Sequence, residues 1–98
     1  MLFGFLFNKD GYLNSKIDIY SKKIKNLSTE YDSTIIFKRG LLYLEIQEPD
    51  LALADFIIAS KLDKSLIKKC KLLCGKYHPI LLEKYISALY YQIDTSVI

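Results

Sequence analysis

Tryptophan is absent from this 98-residue chain, and cysteine, proline, glycine and histidine are scarce, at two, two, four and one residues. Two cysteines cannot supply the disulfide framework that small secreted domains use, so a reducing compartment, the cytoplasm, is the expected location. The glycines Gly4, Gly11, Gly40 and Gly75 are too dispersed to form a glycine-rich phosphate loop, which excludes nucleotide chemistry of that type. The single histidine, His78, is the only centre that a Ser-His-Asp or Cys-His arrangement could have, and the adjoining Pro79 places it in an interhelical turn. No catalytic residue is therefore assigned, and the chain is not read as an enzyme. No window approaches the roughly 20 apolar residues that cross a bilayer, so no membrane span is expected. The opening stretch from Met1 to Phe7 is apolar but lacks a basic n-region and a small-residue cleavage site, so it reads as mature structure.

What is present is apolar and aromatic: 51% hydrophobic and 13% aromatic residues against 26% charged, the balance of one domain that buries a real core. The formal net charge of +3 is modest, but it is unevenly placed. Lysines 61, 64, 68, 69, 71 and 76 meet only Asp63, whereas the stretch 41–56 carries Glu45, Glu48, Asp50 and Asp55 with no basic residue. A dipolar surface follows. The lysine run lacks the interleaved aromatics of a nucleic-acid site and reads as a solvated helix face, and its apolar positions are needed for packing instead of a membrane surface.

Apolar residues recur at three- and four-residue spacing through Ile17, Tyr20, Ile24 and Leu27, through Ile36, Gly40, Tyr43 and Leu44, and through Leu53, Phe56, Ile57 and Leu62. Alternation with period two is sustained nowhere, so the chain is read as all-α. Punctuation falls at Asp10-Gly11, Ser28-Thr29, Glu48-Pro49-Asp50, Asp63-Lys64-Ser65 and His78-Pro79. Pro49 and Pro79 suit the first turn of a helix, where the missing N–H costs nothing, and Ser33 and Ser65 are expected N-caps.

The central stretch runs Ile36-x2-Arg39-Gly40-x2-Tyr43, then Ala52-x3-Phe56-x2-Ala59, then Leu62-Asp63. It resembles the tetratricopeptide repeat, a helix hairpin of about 34 residues with small residues where its helices cross and aromatics between neighbouring hairpins. Advancing Gly40, Tyr43 and Phe56 by 34 positions reaches Cys74, Tyr77 and Tyr90, and stepping back by 36 reaches Gly4, Phe7 and Tyr20. The departures are Arg39 and Lys64 in the middle unit and Lys16, Lys23, Ile86 and Ile93 where the family prefers alanine. The resemblance implies one domain of three hairpins, units 1–32, 33–66 and 67–98, stacked as a short right-handed α-solenoid with a turn at Gly11. It implies a clipped leading helix and no separate cap, leaving apolar ends to be covered by a partner or a second copy.

Cys70, Cys74 and His78 follow at i, i+4 and i+8, a spacing that could offer three ligands to zinc, but a fourth is not evident and Cys74 stands at a small buried position of the repeat. No metal and no cofactor are assigned. The resemblance places a concave groove on the first helix of each hairpin, lined by Phe5, Asn8 and Lys9, by Thr34, Phe37, Leu41, Leu44 and Glu45, and by Lys68, Lys71 and Gly75. Phe37 and Leu41 stand where relatives that grip a carboxylate carry polar residues, so the groove implied is an apolar centre flanked by lysines. The expected function is that of a protein-binding module, a scaffold, adaptor or chaperone-like unit taking a peptide or amphipathic helix of another protein. The alternative is a small dedicated inhibitor or immunity-type protein that blocks an enzyme or toxin through its charged outer face.

Overall fold

A computed structural model describes the backbone of residues 2–24 and 30–97 and the side chains of residues 11–24 and 32–90. The described residues form five α-helices and no strand: α1 (Leu2–Lys23), α2 (Glu30–Glu45), α3 (Pro49–Leu62), α4 (Ile67–Tyr77) and α5 (Pro79–Val97), with a 3₁₀ turn at Lys64–Leu66 ahead of α4. The all-α reading holds. The arrangement is one long helix followed by two hairpins, α2–α3 and α4–α5, and not three hairpins.

The difference lies in α1, which runs through Asp10-Gly11 where a turn was expected. Gly11 is exposed, and a side chain there would meet nothing within 4 Å, so no packing requirement selects glycine at this point. A glycine inside a helix costs roughly 1 kcal/mol relative to alanine. Continuity of one face outweighs that cost: Leu13 and Ile17 are buried against Leu42 of α2, with Tyr20, Tyr43 and Ile46 packed around them. The expected break at Ser28-Thr29 lies outside the described residues.

The α2–α3 connection is closed by the backbone. Gln47 adopts φ 61°, and its N–H bonds to the Leu44 carbonyl at 3.1 Å while the Glu48 N–H reaches the Tyr43 carbonyl at 2.8 Å. That is the Schellman pattern, with a left-handed residue just past the helix end. Pro49 then opens α3, as its fixed φ and missing N–H suit. At the far end Asp63 takes the capping role that the sequence suggested for Ser65: its Oδ1 accepts from the Ser65 N–H at 3.0 Å and the Ser65 hydroxyl at 2.7 Å. Ser33 is not an N-cap either, because α2 begins at Glu30 and Ser33 is buried within it. Pro79 opens α5, and the His78 Nδ1 accepts from the Ile80 N–H at 3.1 Å.

Helix α3 is the hub. It pairs most extensively with α2 and also touches α4, α5 and the 3₁₀ turn. Ala52 and Phe56 of α3 are wholly buried with Cys70 and Cys74 of α4, and Leu81 and Tyr85 of α5 complete that cluster. The α2–α3 crossing is close because Gly40 has no side chain: a Cβ there would lie 2.7 Å from Phe56 Cε1 and 3.2 Å from Asp55 Cβ.

Candidate functional site

Two polar ties run through the interior. Arg39 of α2 donates to Asp55 of α3 through Nε (2.8 Å) and Nη2 (2.7 Å), and its Nη1 donates to Ser21 Oγ of α1 at 3.0 Å. Ser21 in turn donates to the Ile17 carbonyl at 2.8 Å, and the Tyr43 ring lies 5.8 Å from the guanidinium carbon. One side chain thus joins three helices. Burial pushes the Asp55 carboxyl up while the bonds from Arg39 pull it down, and the bond to Asp55 raises the Arg39 guanidinium further. The paired, ionised state is the one this fork geometry favours.

The second tie crosses α3, α4 and α5. Ser60 Oγ donates to Cys70 Sγ at 3.5 Å, Cys70 Sγ donates to the Phe56 carbonyl at 3.9 Å, and the Tyr85 hydroxyl bonds Ser60 Oγ. Either hydroxyl of that last pair can be the donor. Burial pushes the Cys70 thiol up, Cys74 up to about 12 with Cys70 adding to the effect, and the Tyr85 hydroxyl up to about 12. Thiols held protonated are poor nucleophiles and poor metal ligands, since both roles need the thiolate. His78 is exposed at the end of α4 while both cysteines are buried, and among the described residues no three of His, Cys, Asp and Glu converge on a metal position.

The expected groove residues fall into separate environments. Phe5, Asn8 and Lys9 stand on α1 in the stretch whose side chains lie outside the described residues. Phe37, Leu41 and Leu44, at i, i+4 and i+7 on α2, share a face and are half-buried against the central cluster, with the Phe37 and Phe56 ring centroids 5.6 Å apart. Thr34 and Glu45 flank them and are exposed, as is Lys68 on α4; Lys71 and Gly75 are half-buried. The structure therefore brings the α2 stripe together as a half-covered apolar surface and places the two lysines on a different helix.

Two further surface features stand outside the expected groove, the second of them the lysine run already read from the sequence as a solvated helix face. The first is an open cavity of about 240 Å³ where the start of α3 meets the α4–α5 turn, lined by Pro49, Asp50, Tyr77, Ile80, Leu81 and Lys84 among others. Lys84 reaches Asp50 across it at only 3.9 Å. The second is the outer face of α4, where Leu72 is 63% exposed among Lys68, Lys69 and Lys76. The lysine spacing was visible in the sequence, but which side of α4 they occupy depends on Cys70 and Cys74 facing inward.

No protein-family model matches the chain, no curated protein matches it, and no solved structure does so. No helix among the described residues is long and apolar enough to cross a membrane.

Proposed function

We propose that this chain is a protein-binding helical module of tetratricopeptide-repeat type, a scaffold, adaptor or chaperone-like unit that takes a peptide or helix of a partner protein along α2. The observation that carries this reading is the stripe Phe37, Leu41 and Leu44, left half-open on a surface helix instead of being either sealed or polar. A half-buried apolar stripe on one helix face, rimmed by exposed polar residues such as Thr34 and Glu45, is a chemistry that a helix-in-groove or extended-peptide site can use. Support for the repeat-like arrangement comes from the two consecutive hairpins and from the glycine-mediated crossing of α2 on Phe56. The long single helix α1 departs from the repeat pattern.

The test is capture of the partner from the native source with the whole chain as bait, followed by hydrogen-exchange footprinting of the complex. Slowed exchange centred on residues 34–45 is expected. Protection confined to α5, or none anywhere, would remove the α2 site. A sub-nanomolar complex that abolishes the activity of a captured enzyme or toxin, with protection on the lysine-bearing α4, would fit the dedicated-inhibitor reading instead.

A further inference from the structure

We propose that the lysine face of α4 is a docking surface for the acidic α2–α3 turn of a second copy of this chain. The inference is independent of the α2 stripe. On α4, Lys68, Leu72 and Lys76 stand four residues apart, so they form one stripe with successive side chains about 6 Å apart along the axis. Cys70 and Cys74, wholly buried, fix this stripe on the solvent side, and Lys69 lies beside it. Among the described residues none of these lysines has a carboxylate within ion-pair distance, the ion pairs being Arg39–Asp55 and Lys84–Asp50. The one acid in the sequence run, Asp63, is engaged with Ser65. Leu72, the most exposed large apolar side chain of the described chain, sits in the middle of this positive field.

The complementary surface is on the same molecule. Glu45, Glu48 and Asp50 are all exposed around the α2–α3 turn, with no basic residue between 41 and 56. Beside them Leu51 is 48% exposed. The Schellman closure at Gln47 and the proline at the start of α3 hold this acidic knob in one conformation, so little ordering cost is added on docking. Each surface sets an exposed leucine beside a cluster of charges in which one sign predominates, three lysines around Leu72 and three carboxylates beside Leu51 with Lys84 at their edge, and the two predominant signs are opposite, which steers encounter and selects register. Asp50 has only the long contact to Lys84 within its own molecule, where both side chains are more than half exposed. Because every copy carries both surfaces, the contact generates either a reciprocal dimer or a head-to-tail chain.

Sedimentation velocity of the whole chain across a concentration series tests this, at low salt and at about 0.5 M salt, where charges more than a few ångströms apart are screened. Concentration-dependent association is expected at low salt and its loss at high salt. Lys68→Glu/Lys76→Glu and Glu48→Lys/Asp50→Lys, all at exposed positions, should each stay folded and sediment as monomers, the turn variant melting somewhat lower because it sets positive charge at the start of α3 and against Lys84, and an equimolar mixture of the two should regain association. Leu72→Ser, which leaves every charge in place, should weaken association about tenfold or more. Lys22→Glu/Lys23→Glu, the same charge change on α1, should leave it intact. A wild-type chain that stays monomeric at all salt concentrations, association untouched by the α4 and turn variants, or a mixture that stays monomeric would each overturn the proposal. So would a monomer whose α4 face binds a DNA duplex or an unrelated acidic helical peptide, since the occupant would then be another molecule.

Discussion

Gln47 occupies a backbone conformation that side chains with a Cβ adopt at a cost of roughly 1 kcal/mol, and its side chain is exposed. Gln47→Gly is therefore expected to stabilise the chain by about 0.5 to 1 kcal/mol, read as a shift in the urea midpoint; a loss of stability would mean that the glutamine makes a compensating contact. Gly40 is the opposite case. Any side chain there collides with a fully buried ring, so Gly40→Leu should destabilise by about 3 kcal/mol, and a change below about 0.5 kcal/mol would remove the close crossing from the account. Cys74 and Tyr85 give a pH dependence. Both keep their protons in the fold up to about 12, whereas the unfolded chain releases them from near 9 and 10. A folded-state value above the unfolded one contributes stability that is complete below the unfolded value and lost as pH rises toward the folded one. The urea midpoint should therefore fall between about pH 9 and pH 12, with a shallower fall in Cys74→Ala; a flat profile would contradict the burial of these groups.

At the scale of helices, much of the punctuation was legible because it rests on local chemistry. Pro49 and Pro79 open helices since φ and the missing N–H are properties of the residue itself, and Gly40 announced a close approach. The break expected at Gly11 failed because the contacts of Leu13 and Ile17 with Leu42, residues in another helix, decide whether α1 continues. The polar ties were illegible for a similar reason. Arg39 and Asp55 are 16 residues apart and Ser60 and Tyr85 are 25 apart, and no periodicity links such pairs before the helices are placed. Arg39 looked like a departure from an apolar repeat position; in the fold it is the bolt between α1, α2 and α3. The Arg39–Asp55 pair is mostly desolvated, with side chains 21% and 4% exposed. Removing one partner leaves an uncompensated buried charge. Asp55→Ala should cost about 3 kcal/mol, and adding Arg39→Met should recover a good part of that loss. Additive losses in the double variant would show that the two side chains are not coupled.

As a whole, the molecule is drawn out, with principal extents of 56 × 31 × 20 Å and a radius of gyration of 14.7 Å. A globular chain of this length has a radius nearer 13 Å, so a larger share of each helix faces solvent. That shape leaves the α2 stripe half-open and sets the lysine face of α4 apart from it. The candidate groove was legible only in part: the sequence placed Phe37, Leu41 and Leu44 on one face, but not that they also lean on Phe56 and the central cluster. Cutting these residues away would therefore damage the fold as well as the surface. A cleaner probe exchanges the exposed charges that flank them. Lys38→Glu/Glu45→Lys keeps the net charge and touches no buried group, so its melting temperature should match that of the parent. The affinity of this variant for the captured partner tests the central claim most directly. If the partner lies along α2, the Kd should rise about tenfold or more, by reversal of the charges that rim the site. An unchanged Kd in this variant, together with a large loss in Tyr77→Ala/Ile80→Ser at the cavity between α3 and the α4–α5 turn, would contradict it and place the partner at that cavity instead of along the α2 stripe.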